Sequence, residues 1–204
     1  MAYFPMFIEL KHRKCLVVGG GQVAFRKAET LKDFGADVSV VAPNILPQIW
    51  AMDGVFCLEK MFEEEDAAGF TFIVAATDDK KLNRHISQIC RKRNIPVNAV
   101  DQIEDCSFIF PSYVKEGEVV AAFSSGGLSP VTTQYLKEQI RPVLTPHLGE
   151  VAACLGSLRE MVRACTQTEE QRKQIYRELL QIGLSQESLP SEEEITEVIY
   201  KYQK

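Results

Sequence analysis

A short glycine-rich stretch contains the residues with the clearest chemical meaning in this chain. Gly19, Gly21 and Ala24 follow the apolar run 15–18 with the spacing G-x-G-x-x-A, and a helical pattern begins directly after them. The first glycine permits a tight turn, the second lets a pyrophosphate approach the backbone, and the alanine lets the helix lie close to the sheet. The helix N-terminus offers free N–H groups to phosphate. The stretch predicts a dinucleotide site, with an ordinary glycine turn as the alternative.

Residues at the ends of later strands are expected to complete this site. Ligands of open parallel sheets lie at the carboxyl ends of the strands, which here supply Gln22, Val23, Pro43, Asn44, Thr77 and residues 98–101. The acidic residue that usually binds the adenosine ribose about 20 residues past the glycines is missing, so Asn44 is the nearest candidate. No Lys or Arg between Asp33 and Met52 can meet a 2′-phosphate. The sequence therefore favours NAD over NADP.

Asp101 is the carboxylate best placed for proton transfer. It follows an apolar strand predicted at 96–100, at the end that faces the cofactor crevice, where a base can reach a bound substrate. The alternative is a strand-end aspartate that caps the next turn. Asp78 is expected to cap a helix or to belong to the cofactor loop. The three histidines form no metal-binding motif, so we expect no metal site.

The elements that must position these residues alternate between strand and helix. After the first strand, helices are predicted at 23–34 and 80–93, and strands at 38–42, 55–58, 70–76 and 96–100. This rhythm is typical of βαβ units in a parallel sheet. Residues 107–111 are expected to add a last strand, and the acidic run 63–66 is expected to form a solvated helical turn or loop.

The pattern changes in the second half of the chain. Residues 113–115 and 119–123 flank a Glu-Gly-Glu turn and predict a hairpin. A serine- and glycine-rich turn then leads to Pro130, which suits the first turn of a helix. The rest is helical, with a capping box at Ser191 and Glu194. The predicted fold class is α/β: a Rossmann-type parallel sheet domain over 1–113, a small α+β domain over 114–148, and a helical C-terminal tail over 149–204.

Composition and charge argue against several classes of protein. The chain has 204 residues, of which 46% are hydrophobic and 25% charged, as in ordinary globular domains. Its net charge of -5 disfavours a nucleic-acid partner. No apolar run reaches the length of a membrane span, and the start lacks the features of a signal peptide. We expect a cytoplasmic protein without a membrane partner. The six cysteines are spaced irregularly and are expected to be reduced thiols.

Short motifs along nearly the whole chain carry a family resemblance. They lie, in order, at 4–7, 19–28, 74–78, 98–101, 107–111, 124–130 and 146–149. Together they resemble the precorrin-2 dehydrogenase / sirohydrochlorin ferrochelatase family, which forms the N-terminal portion of siroheme synthase. The block Ser124–Pro130 and the strand-end Asp101 are more specific to that family than the glycine turn.

The resemblance implies both an activity and a set of site residues. The implied reaction is NAD-dependent oxidation of precorrin-2 to sirohydrochlorin, followed in some members by insertion of ferrous iron, which is then a substrate. A homodimer is implied, with contacts from residues 114–148. The resemblance places the catalytic aspartate on Asp101 and substrate binding on Ser124 and Ser125. It places the cofactor contacts on Gly19, Gly21, Gln22, Val23, Pro43, Asn44 and Thr77.

Three functions remain open at this point. The leading one is a precorrin-2 dehydrogenase, and a close alternative adds ferrochelatase activity, because one aspartate can serve both steps. The third is an NAD-sensing regulatory module with the helical tail as its effector. The substrate carries many carboxylates, so the site needs basic side chains. The candidates are Arg26, Lys27, Arg84, His85, Lys137 and Arg141, and for most of them the alternative is a solvated surface position.

Overall fold

The computed structural model describes residues 3–203. It divides into two compact units, Met1–Phe110 and Pro111–Lys204. The first unit is built on a parallel sheet with helices on both faces, and the second on a hairpin followed by helices. The predicted fold class is therefore confirmed. The finer division at residues 113 and 148 stays a prediction.

A five-stranded sheet forms the centre of the first unit. Its strands are β1 (Lys14–Val18), β2 (Asp37–Ala42), β3 (Val55–Glu59), β4 (Phe72–Ala75) and β5 (Val97–Ala99). They lie in the order β3-β2-β1-β4-β5, and every neighbouring pair is parallel. The direction of strand succession reverses between β1 and β4. A reversal of this kind opens a crevice for ligands at the carboxyl ends of the strands.

Helices cover both faces of this sheet. They are α1 (Gln22–Asp33), α2 (Pro47–Trp50) and α3 (Lys80–Lys92), with short 3-10 helices at Glu64–Ala67 and Ile103–Asp105. Alternate residues of β1 belong to two separate cores, because successive side chains of a strand point to opposite faces. Ala24 and Ala28 of α1 lie in one core, and Ile86 and Cys90 of α3 lie in the other.

The predicted strand at 107–111 does not form, and that prediction was wrong. Beside β5 one backbone hydrogen bond forms, from the Ser107 N–H to the Val97 carbonyl at 2.8 Å, and side chains make the other contacts in place of a ladder. The Ser107 Oγ accepts a hydrogen bond from the Val97 N–H at 2.7 Å, and the Asn98 Nδ2 donates to the Phe108 carbonyl at 3.0 Å. Pro111 has no N–H to donate to a ladder. The segment therefore follows the sheet edge without becoming part of the sheet.

The second unit begins with the predicted hairpin. Strands β6 (Ser112–Glu116) and β7 (Val119–Phe123) pair antiparallel around Gly117. The helices that follow are α4 (Pro130–Ile140), α5 (Pro146–Ser157), α6 (Arg159–Cys165), α7 (Glu169–Ser185) and α8 (Glu192–Tyr202). The predicted capping box of Ser191 and Glu194 opens α8. Buried residues of α6, α7 and α8 share one core, formed by Val162, Ile175, Leu179, Val198 and Ile199.

Two further properties concern the whole described chain. All six cysteines are free, as expected for reduced thiols. Between residues 3 and 203, no helix has both the length and the apolar character needed to cross a membrane.

Candidate functional site

A cleft of about 740 Å³ opens at the carboxyl ends of β1, β2 and β4. It lies at the reversal of strand order, where open α/β sheets hold their ligands. Its walls contain every residue that the sequence predicts to contact the cofactor, namely Gly19, Gly21, Gln22, Val23, Pro43, Asn44 and Thr77. Residues from three separate turns of the chain thus converge on one cavity. Their individual binding roles stay predictions.

The three glycines of the turn after β1 have different surroundings. Gly19 has a φ of +126°, and a Cβ there would collide with the Ala76 carbonyl at the end of β4. A Cβ on Gly20 would collide with the Asn44 carbonyl after β2. A Cβ on Gly21 would meet nothing within 4 Å. Gly19 and Gly20 are therefore needed by the fold itself, and the space beside Gly21 is left for a ligand. The sequence analysis had not singled out Gly20.

The N-terminus of α1 is suited to an anion. Gly21 is its N-cap residue and offers no side-chain hydrogen bond, and no acidic residue lies in the first turn. The first N–H groups of the helix therefore have no side-chain partner and face the cleft beside Gly21. Such groups bind phosphate well, because the helix dipole adds a partial positive charge. These residues fit the pyrophosphate of a dinucleotide.

A buried asparagine holds Thr77 in the cleft wall. The Asn83 Oδ1 accepts hydrogen bonds from the Thr77 N–H at 3.2 Å and from its hydroxyl at 2.7 Å. The Asn83 Nδ2 donates to the Thr77 carbonyl at 2.9 Å. Asn83 is only 1% exposed and was missed by the sequence analysis. The one signal that could have found it is a polar residue within the buried face of α3.

The residue that caps α3 is Asp79. Its Oδ1 accepts from the Lys81 N–H at 2.8 Å and from the Leu82 N–H at 3.3 Å. The cap is thus Asp79 and not Asp78, and α3 begins at residue 80, as predicted. Asp78 lines the cleft instead, in agreement with the alternative prediction that it belongs to the cofactor loop.

The cleft also has an apolar wall that the sequence analysis missed. Leu46, Met61 and Phe62 line it and can flank a flat aromatic ring. The Gln22 Nε2 donates to the Gln48 Oε1 at 2.8 Å and links α1 to α2 beside this wall. The lining residues include no Lys or Arg, although they include two aspartates. The cleft therefore offers nothing to neutralise an additional phosphate.

Asp101 lies in a tight turn after β5, outside the lining of the cleft. The Gln102 N–H donates to the Ala99 carbonyl at 3.3 Å, and Asp101 in between has a φ of +59°. Glycine or asparagine is the usual residue at this third turn position. The Asp101 side chain is exposed, and within residues 3–203 it has no hydrogen bond or ion pair.

The alternative prediction for Asp101 is that it caps the turn that follows. The following 3-10 helix has Gln102 as its N-cap residue, and no side chain caps that helix. Asp101 is therefore not the cap. A carboxylate that is held in a strained turn and has no structural partner is typical of functional positions.

Ser124 and Ser125 belong to the second unit, in the turn between β7 and α4. The Ser125 Oγ accepts from the Ser129 N–H at 3.0 Å and donates to the Ser129 carbonyl at 3.1 Å. The Ser124 Oγ accepts from the Gly126 N–H at 3.1 Å. Both hydroxyls thus shape their own loop, and the Ser124 O–H keeps a proton that it can donate. Their role in substrate binding stays a prediction.

The basic candidates differ in their surroundings. Arg84 is engaged with Asp105 at 3.0 Å, and the His85 ring lies 3.3 Å from a Glu64 carboxylate oxygen. Lys27 is half-buried, with its Nζ 3.9 Å from the centre of the Phe110 ring. Burial, and to a smaller extent the nearby Arg26, lower the pKa of Lys27. Arg84 and His85 thus have acidic partners and Lys27 lies against an aromatic ring, and the binding roles of the basic candidates stay predictions. Residues 3–203 hold no group of three or more His, Cys, Asp or Glu arranged for a metal ion.

Comparison with known proteins identifies the family. A family model described as "Putative NAD(P)-binding" matches residues 6–112, which is more than half of the chain. The chain belongs to this NAD(P)-binding family. The glycine turn and the cleft at the end of β1 lie within the matched residues, so membership of the NAD(P)-binding family accounts for both features.

Curated relatives extend the similarity beyond the NAD(P)-binding region. Siroheme synthase of Thioalkalivibrio sulfidiphilus is 41% identical over 184 residues, covering 89% of this chain and 38% of the relative. Siroheme synthase of Methylobacillus flagellatus is 37% identical over 197 residues, covering 95% of this chain and 42% of the relative. The chain therefore spans about two fifths of the length of these curated relatives.

A solved structure shares the fold. The structure of SirC, a precorrin-2 dehydrogenase, superposes with a TM-score of 0.72 at 24% sequence identity. The match covers 98% of this chain and 99% of that one. The likeness therefore extends over both units of the chain, beyond the NAD(P)-binding region alone.

The substitution Gly21→Asp should abolish NAD binding and leave the protein folded. Aspartate is a favoured N-cap residue and meets no neighbour here, so we expect an unchanged or slightly higher melting temperature. Its carboxylate would occupy the space for the pyrophosphate and repel it. Titration calorimetry with NAD measures the effect. Gly156→Asp, on an exposed helical position in the second unit, is the control. Unchanged affinity in Gly21→Asp would make the glycine turn purely structural.

Proposed function

We propose that this chain oxidises precorrin-2 to sirohydrochlorin, with NAD as the hydride acceptor, in the synthesis of siroheme. The observation that carries the proposal is the unpartnered, strained Asp101 at the end of β5, the strand beside the β4 end that lines the dinucleotide cleft. A dinucleotide site alone fits many functions. A carboxylate without a structural partner on the next strand adds a group that can act on a substrate.

The substrate is proposed from the relatives. Two siroheme synthases resemble nearly the whole chain at 41% and 37% identity, and the fold matches that of a precorrin-2 dehydrogenase. The step removes a hydride and a proton from one macrocycle. When bound, NAD supplies the hydride acceptor. Asp101 positions the ring or accepts the proton, because its carboxylate is committed to no other group.

The cofactor is proposed to be NAD rather than NADP. Asn44 lies in the cleft wall where the ribose-binding residue is expected, and the lining contains aspartates but no cation. The nearest lysine before the second strand, Lys32, points its Nζ to the Gly54 carbonyl at 3.4 Å. An additional phosphate on the ribose would thus meet no basic side chain of the cleft lining.

We further propose a homodimer that uses residues 114–148. Helix α4 has no buried residue, whereas the next helix, α5, buries Gly149 and Val151. Large apolar side chains are exposed along α4 and its flanking turns, namely Leu128, Val131, Tyr135, Leu136 and Val143. Several large exposed apolar side chains on one short segment are typical of a protein interface. The six free cysteines support a cytoplasmic location.

Insertion of ferrous iron is a second candidate function. The same unpaired Asp101 carboxylate can accept protons released from pyrrole nitrogens when iron enters the ring, so iron would be a substrate. The name siroheme synthase, shared by the curated relatives, favours this addition. An NAD-sensing module remains the contrasting function, and it has no need of a catalytic carboxylate.

Anaerobic incubation with precorrin-2 and NAD tests the main proposal. We expect sirohydrochlorin and NADH to appear in equal amounts, followed by absorbance, since each oxidation transfers one hydride. Ferrous iron added to the same cuvette then tests chelation. Binding of NAD without any product would contradict the dehydrogenase and favour the NAD-sensing module.

The cofactor preference gives a separate prediction. The value of kcat/KM for NAD should exceed that for NADP by about tenfold or more, because one unpaired phosphate costs at least about 1.4 kcal/mol of binding. Steady-state rates with the two cofactors at several concentrations measure the ratio. A preference for NADP would show that a basic residue from elsewhere reaches the ribose.

The substitution Asp101→Asn should lower turnover by about 10²-fold or more if the carboxylate transfers a proton. Asparagine tolerates the left-handed backbone of this turn, so the loop should persist. Affinity for NAD should not change, since Asp101 lies outside the cleft lining. Asp101→Ala removes the carboxylate and also disfavours the turn. The additional loss of turnover in Asp101→Ala, relative to Asp101→Asn, therefore measures the contribution of the turn. Near-normal turnover in Asp101→Asn would contradict the assignment.

A further inference from the structure

Helix α3 holds the loop that carries Asp101. Asp101 adopts a backbone conformation that non-glycine residues rarely use, and such conformations persist only where the surroundings enforce them. The enforcing contacts are made by residues 102–106, which follow the turn directly. These contacts do not involve the dinucleotide cleft.

Four side-chain hydrogen bonds join this loop to α3. The Arg84 Nε donates to the Asp105 Oδ2 at 3.0 Å, and the Ser87 Oγ donates to the Asp105 carbonyl at 2.5 Å. An Arg91 Nη donates to the Glu104 carbonyl at 2.6 Å. In the opposite direction, the Gln102 Nε2 donates to the Lys80 carbonyl at 3.0 Å. Both the side chain and the backbone of Asp105 are therefore fixed by the same helix.

The thiol of Cys106 makes further contacts with the turn that contains Asp101. The Cys106 Sγ lies 3.2 Å from both the N and the O of Ala99, and 3.3 Å from the Gln102 carbonyl. Ala99 and Gln102 are the two ends of the turn that contains Asp101. The turn is therefore held between Cys106 and the groups that α3 binds, and Asp101 at its tip remains exposed.

The contact between Arg84 and Asp105 is an ion pair that involves a largely buried carboxylate. The Asp105 side chain is only 14% exposed, and its hydrogen bond raises the pKa of the Arg84 guanidinium. Arg84 also lies 3.5 Å from a Glu104 carboxylate oxygen. Without Arg84, the largely buried Asp105 carboxylate would have to move toward water to regain a partner. Such a movement would drag the loop away from α3 and reorient Asp101.

We propose that Arg84 and Asp105 are positioning residues, which hold the loop against α3 so that the Asp101 carboxylate points in its productive direction. The inference rests on the proposed catalytic role of Asp101. Arg84 therefore binds a carboxylate of the protein itself, whereas the sequence analysis treated it as a candidate for binding substrate carboxylates. A small misplacement of a catalytic group is sufficient to slow a reaction strongly.

The test compares Arg84 in α3 with Arg93, the residue that follows the last turn of the same helix. Arg84→Met should lower kcat for precorrin-2 oxidation by about tenfold, with an unchanged KM for NAD. Arg84→Lys should restore most of the rate. Arg93→Met is the matched control, because Arg93 donates to the Glu64 carbonyl at 2.9 Å and binds a different loop. We expect the control to retain the normal kcat, and all three variants to have similar melting temperatures.

A second variant separates positioning from direct substrate binding. Asp105→Asn should lower kcat as Arg84→Met does, and the double variant should be no slower than either single one. If Arg84 instead bound the substrate, Asp105→Asn would leave kcat intact and Arg84→Met would raise KM for precorrin-2. That pattern would overturn the inference, as would equal rates in Arg84→Met and Arg93→Met.

The same measurements on Asp101→Asn separate the positioning role of Arg84 from the catalytic role of Asp101. A strong loss in Asp101→Asn without any loss in Arg84→Met would overturn the positioning role and leave the proposed function standing. Normal turnover in Asp101→Asn would overturn the catalytic role of Asp101, and the positioning role with it.

Discussion

The cofactor cleft depends on the close approach of three backbone turns. The turn after β1 touches the turn after β4 through Gly19 and the turn after β2 through Gly20, in both cases at distances where a Cβ would collide with a carbonyl group. This contact brings the ends of β1, β2 and β4 together around one cavity. It also explains why Gly21 alone, of the three glycines, faces free space, so that a ligand can approach the backbone at the N-terminus of α1.

A second constraint concerns irregular backbone, whose polar groups need partners when they are buried. In the described chain, the buried polar side chains are Asn83, Ser87, Asn98 and Gln102, and all of them lie in α3, in β5 or in the turn after β5. Asn83 binds the backbone of Thr77, and Asn98 and Ser87 bind the segment 105–108. Among the side-chain nitrogen and oxygen atoms of residues 3–203, only the Gln102 Oε1 is buried without a hydrogen-bond partner. Polar burial is therefore concentrated where the chain leaves β4 and β5, beside the two turns that the proposed reaction uses.

The parts of this structure that the sequence predicts are those with local signals. The five apolar runs of the parallel sheet, the glycine spacing and the hairpin turn follow from residues that are close in the chain, and these elements are present in the structure. The hydrogen bonds of Asn83 and Arg84 join residues 6 and 21 positions apart, and no spacing rule marks such pairs. The strand predicted at 107–111 is absent for the same reason, because its absence depends on side-chain hydrogen bonds that no spacing rule marks. Its apolar pattern suits a strand, but Ser107 and Asn98 satisfy the edge of β5 with their side chains.

Asp101 shows why a strained residue can persist at such a position. Glycine would relax a turn with a φ of +59°, and retaining aspartate there costs on the order of 1 kcal/mol. The loop carries three carboxylates, on Asp101, Glu104 and Asp105, and Arg84 lies within 3.5 Å of the latter two. That cation is engaged with Glu104 and Asp105, and the Asp101 side chain has no ion pair within residues 3–203. The loop thus combines a fixed backbone with one uncommitted carboxylate. The ion pair between Arg84 and Asp105 fixes the backbone, and the Asp101 carboxylate stays available for a substrate.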